Sequence, residues 1–153
     1  MAKSNFFSPE IALSSKKNDW TTPISLFDIL NNEFHFTVDL CASAENALCN
    51  KFYSIENSGL NARFSREIVF CNPPYGRKIT SDFIKKCYEL SFMDNIVVML
   101  IPARTDTKAF HEYIWNKAEI RFVKGRLRFG NSKNPAPFPS MIVIFRGKKD
   151  GEE

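Results

Sequence analysis

The sequence contains no long apolar run and no pattern of metal-binding or disulfide-forming residues. No stretch approaches the roughly 20 apolar residues that a membrane span needs, and residues 1–17 lack the continuous apolar segment of a signal peptide. The cysteines Cys41, Cys49, Cys71 and Cys87 show no Cys-x-x-Cys spacing, and there are only two histidines. We therefore expect reduced thiols, no metal site, no membrane association and a cytoplasmic location.

Glycine and excess charge are also scarce. The 153 residues include six glycines, and none of them forms the Gly-x-Gly-x-x-Gly loop typical of many nucleotide-binding folds. A net charge of +4 does not by itself identify a partner. The basic residues are nevertheless concentrated between positions 121 and 128, where Arg121, Lys124, Arg126 and Arg128 occur without an acidic residue. This segment is either a solvated face or a surface for phosphate groups.

Apolar segments of strand and helix type alternate along the chain. Strands are predicted at residues 34–40, 51–55, 68–71, 96–101, 118–124 and 141–145. Helices are predicted from Pro23 with Thr22 as its N-cap, at 43–49, after Ser81 as a cap, and after Thr105 or Asp106 as a cap. This alternation predicts one α/β domain over residues 19–146, with a mostly parallel sheet covered by helices on both faces. Residues 1–18 and 147–153 are predicted to be a flexible arm and a flexible tail.

The most informative segment is Asn72-Pro73-Pro74-Tyr75, directly after the apolar run 68–71. Two prolines fix the backbone and remove two donors, so the loop presents an amide side chain, a bare carbonyl and an aromatic ring. The Asn72 oxygen and the Pro73 carbonyl could each accept one N–H of a planar amine, and Tyr75 could stack on its ring. Alternatively, the prolines simply terminate a strand.

Asn-Pro-Pro-Tyr resembles the catalytic motif of amino-methyltransferases that use S-adenosylmethionine (AdoMet). Five segments in order extend the resemblance to the phage and prophage DNA N6-adenine methyltransferase (Dam) family: Asp19-Trp20-Thr21-Thr22-Pro23, Asp39-Leu40-Cys41-Ala42, Asn72 to Arg77, Pro102 to Thr107, and Gly125 to Phe129. The family usually has proline where this chain has Leu40. The resemblance implies a Rossmann-like class I methyltransferase fold, AdoMet as cofactor, adenine in DNA as substrate, and a phage or prophage enzyme acting in a bacterial cell.

The resemblance also implies a set of site residues. Catalysis is assigned to Asn72, Pro73, Pro74 and Tyr75. AdoMet binding is assigned to Trp20, Thr22, Pro23, Asp39, Cys41 and Ala42. DNA contacts are assigned to Arg77, Arg104, Arg126 and Arg128. Arg126 and Arg128 alternate with Leu127 and Phe129, so they are expected to share one strand face, which either contacts DNA or is solvated. Thr22 and Asp39 could instead cap helices, and Arg104 could form a structural ion pair.

Two other functions fit the same residues. One is methylation of a different planar nitrogen, in RNA adenine or in a protein amide. The other is a nucleic-acid-binding domain that kept the fold without catalysis. Any sequence recognition would have to come from the loops after Tyr75, after Pro102 and at residues 130–140, so low selectivity is expected.

Overall fold

The protein was studied as a computed structural model, which describes residues 20–130 and 132–147. The predicted arm at residues 1–18 and nearly all of the predicted tail lie outside the described residues.

A six-stranded sheet forms the centre of the described part. The elements are α1 (Ile24–Phe34), β1 (Val38–Asp39), β2 (Lys51–Phe52), a 3₁₀ turn (Gly59–Asn61), β3 (Ile68–Cys71), α2 (Arg77–Ser91), β4 (Ile96–Pro102), a π-helical turn (Phe110–Ile114), β5 (Glu119–Phe122) and β6 (Ser140–Phe145). The spatial order is β2-β1-β3-β4-β6-β5. The first four of these strands are mutually parallel, and β6 runs antiparallel to both of its neighbours. The predicted mostly parallel α/β sheet is confirmed.

The two long helices cover opposite faces of the sheet. On one face, Phe27, Leu30 and Phe34 of α1 pack with sheet residues such as Phe70 and Leu100. On the other face, buried residues of α2 pack with the alternate residues of the same strands. Strand β4 is almost completely buried, as its continuous apolar sequence predicts for a central parallel strand. Helices on both faces are therefore confirmed.

Helix α2 begins at Arg77, five residues before the start expected from a cap at Ser81. The Thr80 hydroxyl donates to the Pro74 carbonyl at 2.7 Å and accepts the Gly76 N–H at 2.9 Å, which ties the proline loop to the first helical turn. Ser81 is not a cap, because its hydroxyl donates back to the Arg77 carbonyl at 3.0 Å, a bond typical of serine within a helix. The Asn72-Pro73-Pro74-Tyr75 loop is therefore continuous with α2.

The segment 43–49 forms turns, so the helix predicted there was wrong. Its backbone is folded instead around the Asp39 carboxylate, which accepts the N–H groups of Cys41 and Leu48. Helix α1 begins after Pro23, which is its N-cap residue, and no side chain caps its first turn. The prediction that Thr22 caps this helix was therefore also wrong.

Candidate active site

Asn72 follows β3 directly, and its side-chain amide makes three hydrogen bonds. Its Nδ2 donates to the Trp20 carbonyl at 2.7 Å and to the Thr22 hydroxyl at 2.9 Å. Its Oδ1 accepts from the Tyr75 hydroxyl at 2.7 Å. The amide is thus held on its nitrogen side by the segment before α1. Since an amide oxygen carries two lone pairs, Oδ1 can still accept a second bond.

Tyr75 is bound through its hydroxyl as well as its ring. The hydroxyl lies 2.7 Å from Asn72 Oδ1 and 3.2 Å from the Leu100 carbonyl, so the shorter contact is the stronger bond. Burial raises the pKa of the Tyr75 phenol well above its usual value, so the group remains a proton donor at neutral pH. The ring is stacked on Trp20, with centroids 6.2 Å apart and planes 20° from parallel.

Trp20 and Tyr75 form an aromatic cluster with Phe129 and Phe138. Phe138 meets Trp20 and Tyr75 edge-on, with centroids 5.2 and 5.6 Å away. Phe129 is also edge-on to Tyr75, at 5.9 Å. Phe138 is 7% exposed, so it fills the core within the segment 135–139 that contains three prolines. The cluster packs aromatic rings around the Asn72-Pro73-Pro74-Tyr75 loop.

The two prolines of the motif differ in environment. Pro73 is buried and Pro74 is exposed. The Pro74 carbonyl accepts a hydrogen bond from the Thr80 hydroxyl, whereas no described residue donates a hydrogen bond to the Pro73 carbonyl. This leaves the Pro73 carbonyl and one lone pair of Asn72 Oδ1 as the acceptors of the loop.

Asp39 ends β1, on the strand next to the one that carries Asn72. It pairs with Phe70 in the parallel register, and the Leu40 N–H donates to the Phe70 carbonyl at 2.9 Å. Proline in place of Leu40 could not donate that bond. Because neighbouring strands lie about 4.8 Å apart, Asp39 and Asn72 share one edge of the sheet. The segments that begin at Asp39 and Asn72 therefore meet at this edge.

The Asp39 carboxylate is 3% exposed and has no cationic partner among the described residues. Burial raises the pKa of this carboxyl to about 6, despite the N–H groups of Leu48 at 3.0 Å and Cys41 at 3.3 Å. Ala42 follows in the same loop, where its N–H donates to the Tyr53 carbonyl at 2.8 Å. A carboxylate accepts about four hydrogen bonds, so Asp39 retains capacity for a ligand ammonium or hydroxyl.

A cleft of about 880 Å³ opens beside Tyr75, between the N-terminus of α2 and the segment after β4. Trp20, Tyr75, Phe110 and Phe138 supply its aromatic surface. Its charged lining residues are Arg77, Arg104, Asp106 and Lys108, so cations outnumber anions by three to one. The Arg104 guanidinium lies 5.7 Å from the centre of the Phe138 ring. Flat aromatic surface beside cations suits a base with its phosphates.

The cleft gathers some of the predicted site residues and leaves others outside. Trp20, Tyr75, Arg77 and Arg104 line it, while Asn72, Asp39, Cys41 and Ala42 do not. Thr22 contacts the site through Asn72, and Pro23 follows it as the N-cap residue of α1. Lys108 was not predicted; its only sequence signal was its position just after the Pro102 to Thr107 segment.

Arg126 and Arg128 were predicted to share a strand face, and this was wrong. Strand β5 ends at Phe122, and both arginines lie exposed in an irregular segment. Arg126 donates to the Ala136 carbonyl at 3.4 Å. Arg121, from the same basic run, is bound in ion pairs with Glu33 at 2.8 Å and Glu119 at 2.7 Å. Among the basic residues at 121–128, Arg121 is therefore held in ion pairs within the fold, whereas Arg126 and Arg128 are exposed.

Comparison with known proteins agrees with the geometry. The model of a family described as DNA N-6-adenine-methyltransferase (Dam) matches residues 11–152. The chain belongs to this family. The DNA N-6-adenine-methyltransferase of Escherichia phage T1 is 32% identical over 87% of this chain, and that of Haemophilus phage HP1 (strain HP1c1) is 29% identical over 88%. The chain spans 64% of the length of the phage T1 relative and 84% of the phage HP1 relative.

A solved structure shows the same fold. A candidate class I S-adenosylmethionine-dependent methyltransferase from Listeria monocytogenes superposes with a TM-score of 0.58 over 92% of this chain and 64% of its own, at 13% sequence identity. At that identity the likeness concerns the fold alone. The predicted class I methyltransferase fold is confirmed.

The described residues offer neither a metal site nor a membrane-spanning helix. No group of three or more histidine, cysteine, aspartate or glutamate side chains within residues 20–130 and 132–147 could hold a metal ion. No helix in those ranges is long and apolar enough to cross a membrane.

Proposed function

We propose that this protein transfers a methyl group from AdoMet to the N6 amine of adenine in DNA. The observation that carries the proposal is the position of Asn72. It lies at the carboxyl edge of the sheet, next to Asp39 on the adjacent strand, with an amide whose orientation is fixed by three hydrogen bonds. The family membership and the names of the phage relatives support the same reaction.

The chain's acceptors suit the chemistry of an exocyclic amine. The amine nitrogen is a weak nucleophile because its lone pair is delocalised into the base. If Asn72 Oδ1 and the Pro73 carbonyl each accept one N–H, the nitrogen becomes more tetrahedral and its lone pair more available. Positive charge grows on the nitrogen during the transfer, so both bonds strengthen in the transition state and lower the barrier. No strong base is needed before attack.

The aromatic cluster and the cations of the cleft suit a base taken out of the duplex. An enzyme that modifies a base edge must remove the base from the stack, and aromatic surface compensates for the lost stacking. In the described structure the ring of Tyr75 is covered on one side by Trp20. Arg77, Arg104 and Lys108 line the same cleft and supply positive charge for the phosphates of a DNA backbone.

The residues at the end of β1 fit the proposed cofactor. AdoMet supplies an electrophilic methyl group on a sulfonium, and it carries an ammonium group and ribose hydroxyls. Asp39 is a buried carboxylate without a described cationic partner, which is the environment that an ammonium or hydroxyl contact would stabilise. We assign Asp39 to this contact, with Cys41 and Ala42 forming the loop around it.

The test is a product analysis with labelled AdoMet. Duplex DNA, RNA of the same sequence and a mixed protein sample are each incubated with the protein, hydrolysed and analysed for the labelled residue. The proposal expects N6-methyladenine from DNA alone. Label in RNA or in a protein amide, or AdoMet binding without transfer to any sample, would favour one of the alternative functions.

Asn72→Ala is the matched variant for that assay. Loss of one transition-state acceptor is expected to lower turnover on the order of 10²-fold. The affinity for AdoMet, measured by calorimetry, should change little because Asp39 and its loop remain. Near-normal turnover in this variant would refute the role of Asn72.

A further inference from the structure

The Thr22 hydroxyl is buried against the Asn72 amide. Thr22 is 7% exposed, and its Oγ1 accepts the Asn72 Nδ2 proton at 2.9 Å. The hydroxyl does not cap α1, since no side chain caps that helix. Its described hydrogen-bond partner is therefore a residue 50 positions later in the chain.

The orientation of a side-chain amide is decided by its hydrogen bonds. The two ends of the amide have nearly the same shape, but the nitrogen donates twice and the oxygen only accepts. The Trp20 carbonyl lacks a proton, so it requires Nδ2 on that side of Asn72. Thr22 binds the second proton of the same nitrogen, which fixes the plane of the amide. Oδ1 is then directed toward the Tyr75 hydroxyl, away from both acceptors.

The segment that carries Thr22 is itself firmly held. The Thr21 carbonyl accepts the Gly130 N–H at 2.9 Å. The Trp20 ring packs on Tyr75 and Phe138 of the aromatic cluster. The two residues before Thr22 are thus held in place, as they must be if Thr22 is to orient another side chain.

We propose that Thr22 is a positioning residue, which holds the Asn72 amide in the plane where Oδ1 accepts the target amine. This inference rests on the proposed function and differs from the cofactor contact predicted from the sequence. Thr22 acts on the transfer through Asn72, without touching the reacting atoms.

The first test compares Thr22→Val with Thr22→Ser. Valine keeps the shape but removes the acceptor, so the single-turnover rate at saturating AdoMet and DNA should fall roughly tenfold. Serine keeps the acceptor and should restore most of the rate. AdoMet affinity should stay within about twofold of wild type in both variants. Thr21→Val is the control, because its hydroxyl does not contact Asn72. Weakened AdoMet binding with an unchanged rate, or equal loss in the serine and valine variants, would overturn the proposal.

A double variant separates action through Asn72 from independent action. If Thr22 works through the amide, Thr22→Val should cause no further loss in an Asn72→Ala background. If the two losses multiply, Thr22 acts elsewhere and the proposal is wrong.

A readout that does not require activity completes the test. The side-chain amide signals of Asn72, assigned by their disappearance in Asn72→Ala, should show slow proton exchange in the wild-type NMR spectrum. Exchange should accelerate in Thr22→Val and remain slow in Thr22→Ser and Thr21→Val. Unchanged exchange in Thr22→Val would overturn the proposal. Failure of the wild-type protein to methylate DNA would instead count against the proposed function, and the exchange result would still decide the role of Thr22.

Discussion

The buried Asp39 carboxyl should make the stability of the protein decrease as pH rises from about 4 to about 6. Burial raises the pKa of this group from 3.8 to about 6. Since a tenfold change in an acid constant corresponds to about 1.4 kcal/mol, ionising Asp39 costs about 3 kcal/mol more in the folded protein than in the unfolded chain. Between the two pKa values the folded state binds more protons, so its free energy of unfolding falls with rising pH. Below about pH 4 the protonated Asp39 contributes its full stabilisation to the folded state, and above about pH 6 that stabilisation is lost.

The comparison with Asp39→Asn isolates this effect from other titrating groups. Glu33, Glu67 and Glu119 have pKa values lowered by bonds to cations, so their contributions have the opposite sign and are present in both proteins. The asparagine variant cannot ionise at position 39. The stability of the wild type minus that of the variant should therefore drop by about 3 kcal/mol between about pH 4 and pH 7.

Urea unfolding followed by tryptophan fluorescence measures both free energies, because Trp20 and Trp115 lie in the folded part. Asp28→Asn, which removes an exposed carboxylate, is the control for the loss of one acidic side chain. A difference between wild type and Asp39→Asn that does not change with pH would refute the claim that the Asp39 carboxyl is held in a desolvated site. If an AdoMet ammonium contacts Asp39, adding the cofactor should lower the pKa of the carboxyl and shift the transition toward lower pH.

Further predictions concern the motif and the cleft. Tyr75→Phe should keep the aromatic packing but lose the bond to Asn72 Oδ1, so turnover should fall roughly three- to tenfold. Tyr75→Ala also loses the ring, so its turnover should fall on the order of 10²-fold. Equal loss of turnover in the two variants would show that the ring is irrelevant. On duplex DNA, Arg104→Ala should flatten the log–log salt dependence of binding by roughly 0.9. Arg128→Ala should flatten the slope only if the exposed Arg128 side chain also contacts a phosphate. Arg121→Ala is the control and should leave the slope unchanged, because the Arg121 guanidinium is already ion-paired.

The sheet and the shared edge of the two motifs could be predicted because local patterns determine them. The apolar run of β4 and the stop imposed by Pro73 and Pro74 need no tertiary information. The carboxyl ends of parallel strands meet at one edge, so Asp39 and Asn72 follow from the strand assignments alone. Sequence patterns were sufficient to predict these features because the neighbouring residues in the sequence determine the local conformation.

The end of β5 could not be predicted from its own sequence, because the partner strand sets it. Alternation of arginine with apolar residues continues to Phe129, but pairing ends at Phe122 opposite Met141. Beyond that point a partner would have to be the segment 135–139, where three prolines lack the N–H groups of a ladder. Arg126 and Arg128 therefore leave the sheet, even though their spacing is that of a strand.

Thr22 shows the same limit at the site itself. A threonine before proline at a helix start is typical of a capping residue, and nothing nearby distinguishes that use from another. What distinguishes it is Asn72, whose two amide protons need acceptors at a place where β3 ends beside the segment before α1. The motif Asn-Pro-Pro-Tyr specifies which acceptor groups are present, but the direction of the amide is set by a segment 50 residues earlier. An active Asn72 therefore depends on residues 20–22 being packed in place, and the short motif alone would leave the amide free to turn.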